Sequence, residues 1–472
     1  MTYRSIALSL AFACATTATS ADEQFQHDFK ALIGQLPIAE QKISMMPRPI
    51  VFEGKETPGQ HDCFWMGPVY AGAFNIAYPD GGAVYWATVF SMPQDAPEAY
   101  LEIGGRFPQA RYMSLHSYTE GGAPYDHVMD VDIAPDAGSQ NPYLSGNHDG
   151  GSAYTLRVVQ GETPAQRAPN TVYLGPADKV DRSPMLLRHY IPETGDDLTG
   201  GAGLPSVTLV MPDGTRMGGQ AACDALGSPA PDDPRRILIS PALAQADYDR
   251  MLKDPEVAEN YLRTKKEDWD VFWDPRINLM AFMSPRLQEV MKTAAAVGFI
   301  PKGSGFYANL DNQYVSIALN EDFGEVVVLE AQMPRIPDRG TDMAQPEQYD
   351  LRYWSLCSNE SLVTTRFSDC IYDSEVTLGA DRSYRIVVSK AANRPANARP
   401  ECGVSWLDWG DAGDGAGHPQ ITTLLLRNMA PNPAFGAAVQ DIPGPGQEAA
   451  TMGPYLPKPV YTSKALFDGR GC

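Results

Sequence analysis

The feature that most constrains this chain is an internal repeat. The segment Arg111-Tyr112-Met113-Ser114-Leu115-His116-Ser117 returns as Arg352-Tyr353-Trp354-Ser355-Leu356-Cys357-Ser358. Flanking blocks recur in the same order. Asn75 to Asp80, leading to an apolar strand around Tyr85, is answered by Asn309-Leu310-Asp311 leading to Tyr314, and Tyr154 to Val159 by Tyr384 to Val388. Arg167-Ala168-Pro169-Asn170 with Tyr173-Leu174-Gly175 is answered by Arg394-Pro395-Ala396-Asn397 with Trp406-Leu407 and Gly410. Leu186-Leu187-Arg188 before Pro192 is answered by Leu425-Leu426-Arg427 before Pro431. Chance does not readily supply collinear matches of this kind, so a single unit copied and then diverged is the economical reading.

Within each copy, short runs rich in Val, Ile, Tyr, Leu and Thr alternate with Gly, Pro, Asn and Asp clusters, the signature of strands and turns. Period-two alternation puts Tyr112, Ser114, His116 and Tyr118 on one face of a strand and Met113 and Leu115 on the other. The expected architecture is mainly β: two tandem, internally repeated, jelly-roll-like β-sandwich domains joined by a short helical segment. The expected boundaries are a signal peptide over 1–21, an N-terminal segment over 22–60 with a helix near Phe25 to Leu36, and a first sandwich over 61–235. A helical bridge over 236–300, a second sandwich over 301–432 and a Gly/Pro-rich wrap over 433–472 complete the chain. Ser240-Pro241, Asp254-Pro255 and Ser284-Pro285 each read as a cap residue followed by proline at the first helical position. Helices are expected from Asp254 to about Trp273 and from Ser284 to Val297.

The first residues read as a cleavable export leader: Arg4, an apolar run from Ile6 to Ala15 too short to span a bilayer, and small residues up to Ala21. A periplasmic or secreted location is expected. The chain has 58 acidic against 37 basic residues, a net charge of −21, with no clustered Lys/Arg footprint. Nucleic acid and anionic membrane surfaces are therefore excluded as partners. Outside the leader remain Cys63, Cys223, Cys357, Cys370, Cys402 and Cys472, an even number with no C-x-x-C pair, which favours disulfides over zinc. Six cysteines allow about 15 connectivities, and the preferred one, with partners kept within one half, is Cys63–Cys223, Cys357–Cys370 and Cys402–Cys472.

The blocks Gly105-Arg106-Phe107-Pro108-Gln109-Ala110-Arg111-Tyr112 and Asn397 through Trp406-Leu407 to Leu425-Leu426-Arg427 resemble those of bacterial exported proteins carrying domains of unknown function 1254 and 1214. The resemblance covers the strand cores and implies two successive β-sandwich domains in an exported chain. It carries no activity.

Residues kept in both copies read first as scaffold: Arg111 and Arg352, Arg188 and Arg427, Asn170 and Asn397, pairing carboxylates or backbone carbonyls. Features of one copy alone are better functional candidates. The loop from Tyr118 to Asn147 carries Asp130, Asp132, Asp136 and Asn141, oxygen donors of the kind calcium takes about six to eight of. Calcium is the first ion the sequence suggests, with a His-containing transition-metal site behind it; the bland alternative is a solvated, turn-rich loop. Asp126, His116 and His127 are the candidates for acid/base chemistry in a hydrolase or metal-dependent enzyme. Nucleophile elbow, zincin helix, P-loop and dinucleotide fingerprint are missing, and Gly413-Asp414-Gly415-Ala416-Gly417 reads as a hairpin loop. The expected function is a non-catalytic binding or structural module for an extracellular small molecule or glycan.

Overall fold

The computed structural model describes residues 38–44, 51–52, 55–56, 62–70, 75–146, 151–177, 182–192, 197–227, 237–272, 278, 306–338 and 341–472. The leader, the helix expected near Phe25 and the helix expected over Ser284 to Val297 lie outside the described residues.

In chain order the strands are β1 (Ile38–Ser44), β2 (Val51–Phe52), β3 (Lys55–Glu56), β4 (Met66–Tyr70), β5 (Ala83–Phe90), β6 (Tyr100–Arg106), β7 (Ala110–Tyr118), β8 (Pro124–Met129), β9 (Ala153–Val159), β10 (Thr171–Tyr173), β11 (Ser183–Pro192) and β12 (Ser206–Val210). They continue as β13 (Arg216–Gly218), β14 (Ile237–Leu243), β15 (Asp270–Val271), β16 (Asn312–Asn320), β17 (Val326–Gln332), β18 (Leu351–Asn359), β19 (Phe367–Tyr372), β20 (Ser383–Ser389), β21 (Ser405–Asp408), β22 (Ile421–Pro431) and β23 (Lys458–Thr462).

The fold is mainly β, with four large sheets whose strand orders come in two matching sets. β4-β5-β11-β7-β8 corresponds to β15-β16-β22-β18-β19, and β10-β9-β6-β12 to β21-β20-β17-β23, with β13 extending the former. The one parallel pair in each set falls at the same place, β9 with β10 and β20 with β21. The two Arg-Tyr-x-Ser-Leu strands, β7 and β18, thus sit second from the same edge of equivalent sheets. The tail after Asn432 is more than a wrap, because its strand β23 pairs with β17.

Each matching pair of sheets closes on its own core. Met113 and Leu115 of β7 pack with Trp86, Leu101, Leu156 and Leu187 in the first half. Trp354 and Leu356 of β18 pack with Val327, Ile386, Leu407 and Leu426 in the second. At about 1.5–3 kcal/mol for each large apolar side chain removed from water, each such core is a major stabilising term. The alternation expected for β7 holds, but its other face is also buried: Tyr112, Ser114, His116 and Tyr118 are all at 1% exposure or less. That face meets the second half, where Tyr112, Tyr190, Tyr353 and Met429 pack together.

Between the halves the sequence reading needs correction. Ser240-Pro241 does not open a helix; it lies in β14, which pairs antiparallel with β1. Asp254-Pro255 does open one, the Asp254 carboxylate accepting from the Glu256 N–H at 2.9 Å, but helical structure ends at Arg263 and the chain enters strand β15 by Asp270. Disulfides join Cys63 to Cys223, Cys357 to Cys370 and Cys402 to Cys472.

Candidate functional site

The polar residues common to both copies cross the seam reciprocally. Arg111 on β7 pairs with Asp373, which follows β19. Arg352 on β18 pairs with Asp130, which follows β8, at 2.5 Å. Each aspartate also accepts the backbone N–H two residues past its partner's counterpart: Met113 donates to Asp130 at 2.6 Å, Trp354 to Asp373 at 3.2 Å. Arg188 Nη2 donates to the Tyr307 carbonyl at 2.5 Å, and Arg427 Nη2 to the Tyr78 carbonyl at 2.9 Å. Tyr112 donates to Asn309 at 3.2 Å and Tyr353 to Asp80 at 2.5 Å. The seam is therefore a pseudo-twofold lattice of buried, charge-assisted bonds.

Asn170 and Asn397 do not correspond in this way. Asn170 Oδ1 accepts the Ala134 N–H at 2.8 Å, a task performed in the second half by Ser405 Oγ toward Thr377 at 2.8 Å. Asn397 instead donates to the carbonyls of Phe467 and Gly471.

The acidic loop is not a ligand cage among the described residues. Asp130 is spent on Arg352, and Asp126 on Arg167 at 2.9 Å and the Tyr173 N–H at 2.8 Å. Asp136 accepts from Thr155 at 3.2 Å, and Asp132 is exposed. Asn141 turns its carbonyl to the Tyr143 N–H as a helix cap and its amide to the carbonyls of Asp130 and Ile133. Of the expected calcium set, Asp130, Asp136 and Asn141 are thus each taken up by the seam, by Thr155 or by capping.

What does converge is His116, His127 and Asp311, with one donor atom from each within 4.8 Å of the others. The imidazoles stack at 4.8 Å between centroids across β7 and β8, and His127 Nε2 lies 2.9 Å from Asp311. Burial opposes charge on His127, but the hydrogen bond and charge of Asp311 outweigh it and raise its pKa. His116 is held well below the ordinary value by burial, then by Arg188 and His127. A metal fits this group poorly. His116 Nε2 already accepts the Leu310 N–H at 3.0 Å, and its buried Nδ1 has no acceptor among the described residues to fix a ligating tautomer. The matching place in the second half holds the Cys357–Cys370 disulfide, the two cysteines facing each other across β18 and β19 as the histidines do across β7 and β8.

The glycine-rich loop that reads as a hairpin carries a further buried hub. Asp414 accepts from Tyr248, from Tyr261 at 3.4 Å and from His418 Nδ1 at 3.0 Å, tying the bridge to the second half. Nothing in its sequence context signals this, because both tyrosines come from more than 150 residues earlier.

The halves diverge most on the outer face of the second sheet. Glu102, Arg157 and Thr171 lie side by side across β6, β9 and β10; the same register in the second half holds Val328, Val387 and Trp406. There the apolar face is covered by the chain's own tail, Phe467 packing on Val326, Val328, Val387, Ala398 and Val404. In the first half the face is open and polar. It forms a groove of about 510 Å³ lined by Tyr100, Glu102, Thr155, Arg157, Asn170 and Thr171 among others, with the Arg157 guanidinium 3.7 Å above the Tyr100 ring.

No family model matches this chain, and no curated protein does. Among solved structures it is similar to a putative uncharacterized protein from Burkholderia cenocepacia at 13% identity, with a TM-score of 0.43, over 98% of this chain and 95% of that one. It is also similar to the VPA0106 protein from Vibrio parahaemolyticus at 10% identity, with a TM-score of 0.36, over 85% of this chain and 92% of that one. At these values neither likeness bears on function.

Proposed function

We propose that this chain is an exported, non-catalytic binding module built from two tandem jelly-roll-like β-sandwiches. On this reading the first sandwich holds a glycan-like ligand of the extracellular space or cell envelope, and the second carries it. One observation supports this most: a sheet face that is apolar and self-covered in the second half is open in the first. There it is furnished with the Arg157 guanidinium stacked on Tyr100 beside the Glu102 carboxylate, which also pairs with Arg216. Those groups suit a polyhydroxylated ligand, which needs a planar apolar surface beside convergent hydrogen-bonding groups. The hydrolase alternative loses support, since Asp126 is committed to Arg167 and Tyr173, and His116 to Leu310. The resemblance to the exported two-sandwich proteins accords with this proposal and supplies no activity.

A melting screen of the full chain against soluble glycans tests it. A ligand at about 100 times its Kd raises stability by about 2.7 kcal/mol. Arg157→Ala should abolish that rise while leaving the unliganded protein within about 0.5 kcal/mol of wild type, because Arg157 is exposed and away from the core. A rise that survives the substitution places the ligand elsewhere.

A further inference from the structure

In the outer groove of the first half, most side-chain hydrogen-bonding groups are already engaged within the chain. Asn170 Oδ1 accepts the Ala134 N–H, and its amide donates to the carbonyls of Ala134 and Thr155. Thr171 Oγ1 donates to the Pro169 carbonyl at 3.0 Å, and Thr155 Oγ1 to Asp136 at 3.2 Å. Glu102 accepts from Arg216 through both of its oxygens, and from the Tyr100 hydroxyl at 3.5 Å. Arg157 differs from all of these. Its guanidinium makes no hydrogen bond or ion pair among the described residues, although Glu102 stands directly opposite it on β6. Two guanidinium groups thus flank one carboxylate, and Arg216 holds it. The twin sheet resolves the same geometry differently: Arg385 pairs at 2.5 Å with Glu330, its direct neighbour on β17. An unmatched cation on this face runs against a chain of net charge −21. Stacking 3.7 Å above the Tyr100 ring fixes the plane of the Arg157 guanidinium in the groove of about 510 Å³ that it helps to line. A planar cation held flat, with its fork of donors unfilled, is the complement of a planar carboxylate.

We propose that the groove takes an acidic glycan, Arg157 receiving the carboxylate of a uronic acid in a bidentate pair. This rests on the reading of the groove as a glycan site and narrows that reading to polyuronates. The carboxylate accepts two N–H groups of Arg157, while Arg216 keeps Glu102 from competing for them.

The test is calorimetry on the full chain with oligogalacturonate and oligomannuronate, their methyl esters, and a neutral and a sulfated oligosaccharide of the same length. At least one uronate should bind saturably, and its methyl ester about tenfold more weakly or worse. Arg157→Ala should abolish binding of the acid while the unliganded thermal midpoint stays at the wild-type value. Arg157→Lys keeps the charge without the fork and should weaken binding roughly three- to tenfold. Glu102→Gln releases Arg216 and should tighten it, whereas Arg385→Ala, on the twin sheet, should leave it unchanged. Neutral or esterified glycan bound as tightly as the acid overturns the carboxylate pairing and leaves the groove reading intact. Failure of acid, ester and neutral glycan alike removes both. The sulfated oligosaccharide bound in place of the uronates, or an equal loss in Arg385→Ala, also overturns the proposal.

Discussion

Arg352 shows what a single residue does here. Its guanidinium is buried and holds both Asp130 oxygens across the seam. Arg352→Ala leaves a carboxylate buried without its partner, so a loss of about 3–5 kcal/mol is expected in denaturant unfolding. Replacing Asp130 with Asn at the same time should return part of that loss. The histidines set the pH dependence. His116 and His189 are kept neutral in the fold by burial, His189 falling to about 4, whereas both charge near pH 6.5 when unfolded. The unfolded chain therefore binds more protons, and stability falls as pH drops from about 6.5 toward 4. His127 acts in the opposite sense. Its raised pKa contributes stability that is complete below about 6.5 and lost as pH rises through its folded value; Asp311, lowered by His127 against its own burial, contributes above about 3.9. Urea midpoints at pH 5.5 and 8.5 should accordingly show His127→Gln losing more at pH 5.5; an equal loss at both would remove the ion pair from the account. The paired arginines were legible as scaffold because both copies keep them. Their targets were not, since Asp130 and Asp373 lie on opposite halves and no local pattern announces a seam.

At the scale of elements, cap signals proved only as good as the long-range partner allowed. Asp254-Pro255 and Ser240-Pro241 look alike locally, yet only the first starts a helix. The second pairs with β1, about 200 residues earlier, and tertiary pairing overrides propensity there. The Gly/Pro-rich tail is anchored through Cys472 to Cys402, but it also supplies β23 and the short helix Lys464–Asp468 that seats Phe467. Cys472→Ser should free the last turn. Limited proteolysis should then cut after β23 and the midpoint should fall, the disulfide being worth about 2–4 kcal/mol. Unchanged cleavage would mean that Phe467, Asn397 and the Asp468–Ala396 bond hold the tail alone.

At the scale of the molecule, the repeat was the most legible feature because strand cores keep their residues while loops drift. The sequence match paired Asn170 with Asn397, but strand register pairs Asn170 with Ser405, and that slip hid the functional contrast. Aligned by register, Tyr100, Glu102 and Arg157 stand opposite Val326, Val328 and Val387, so one outer face is wet and open while its twin is dry and covered. Duplication gives each half the same frame, and the seam then consumes the conserved polar residues, leaving function to the positions where the halves differ. Amide hydrogen exchange with and without a glycan that raises the melting point tests this most directly. New protection confined to Tyr100–Arg106, Ala153–Val159 and Thr171–Tyr173 is predicted. Protection centred on the seam, around His116, His127 and Asp311, would contradict the account.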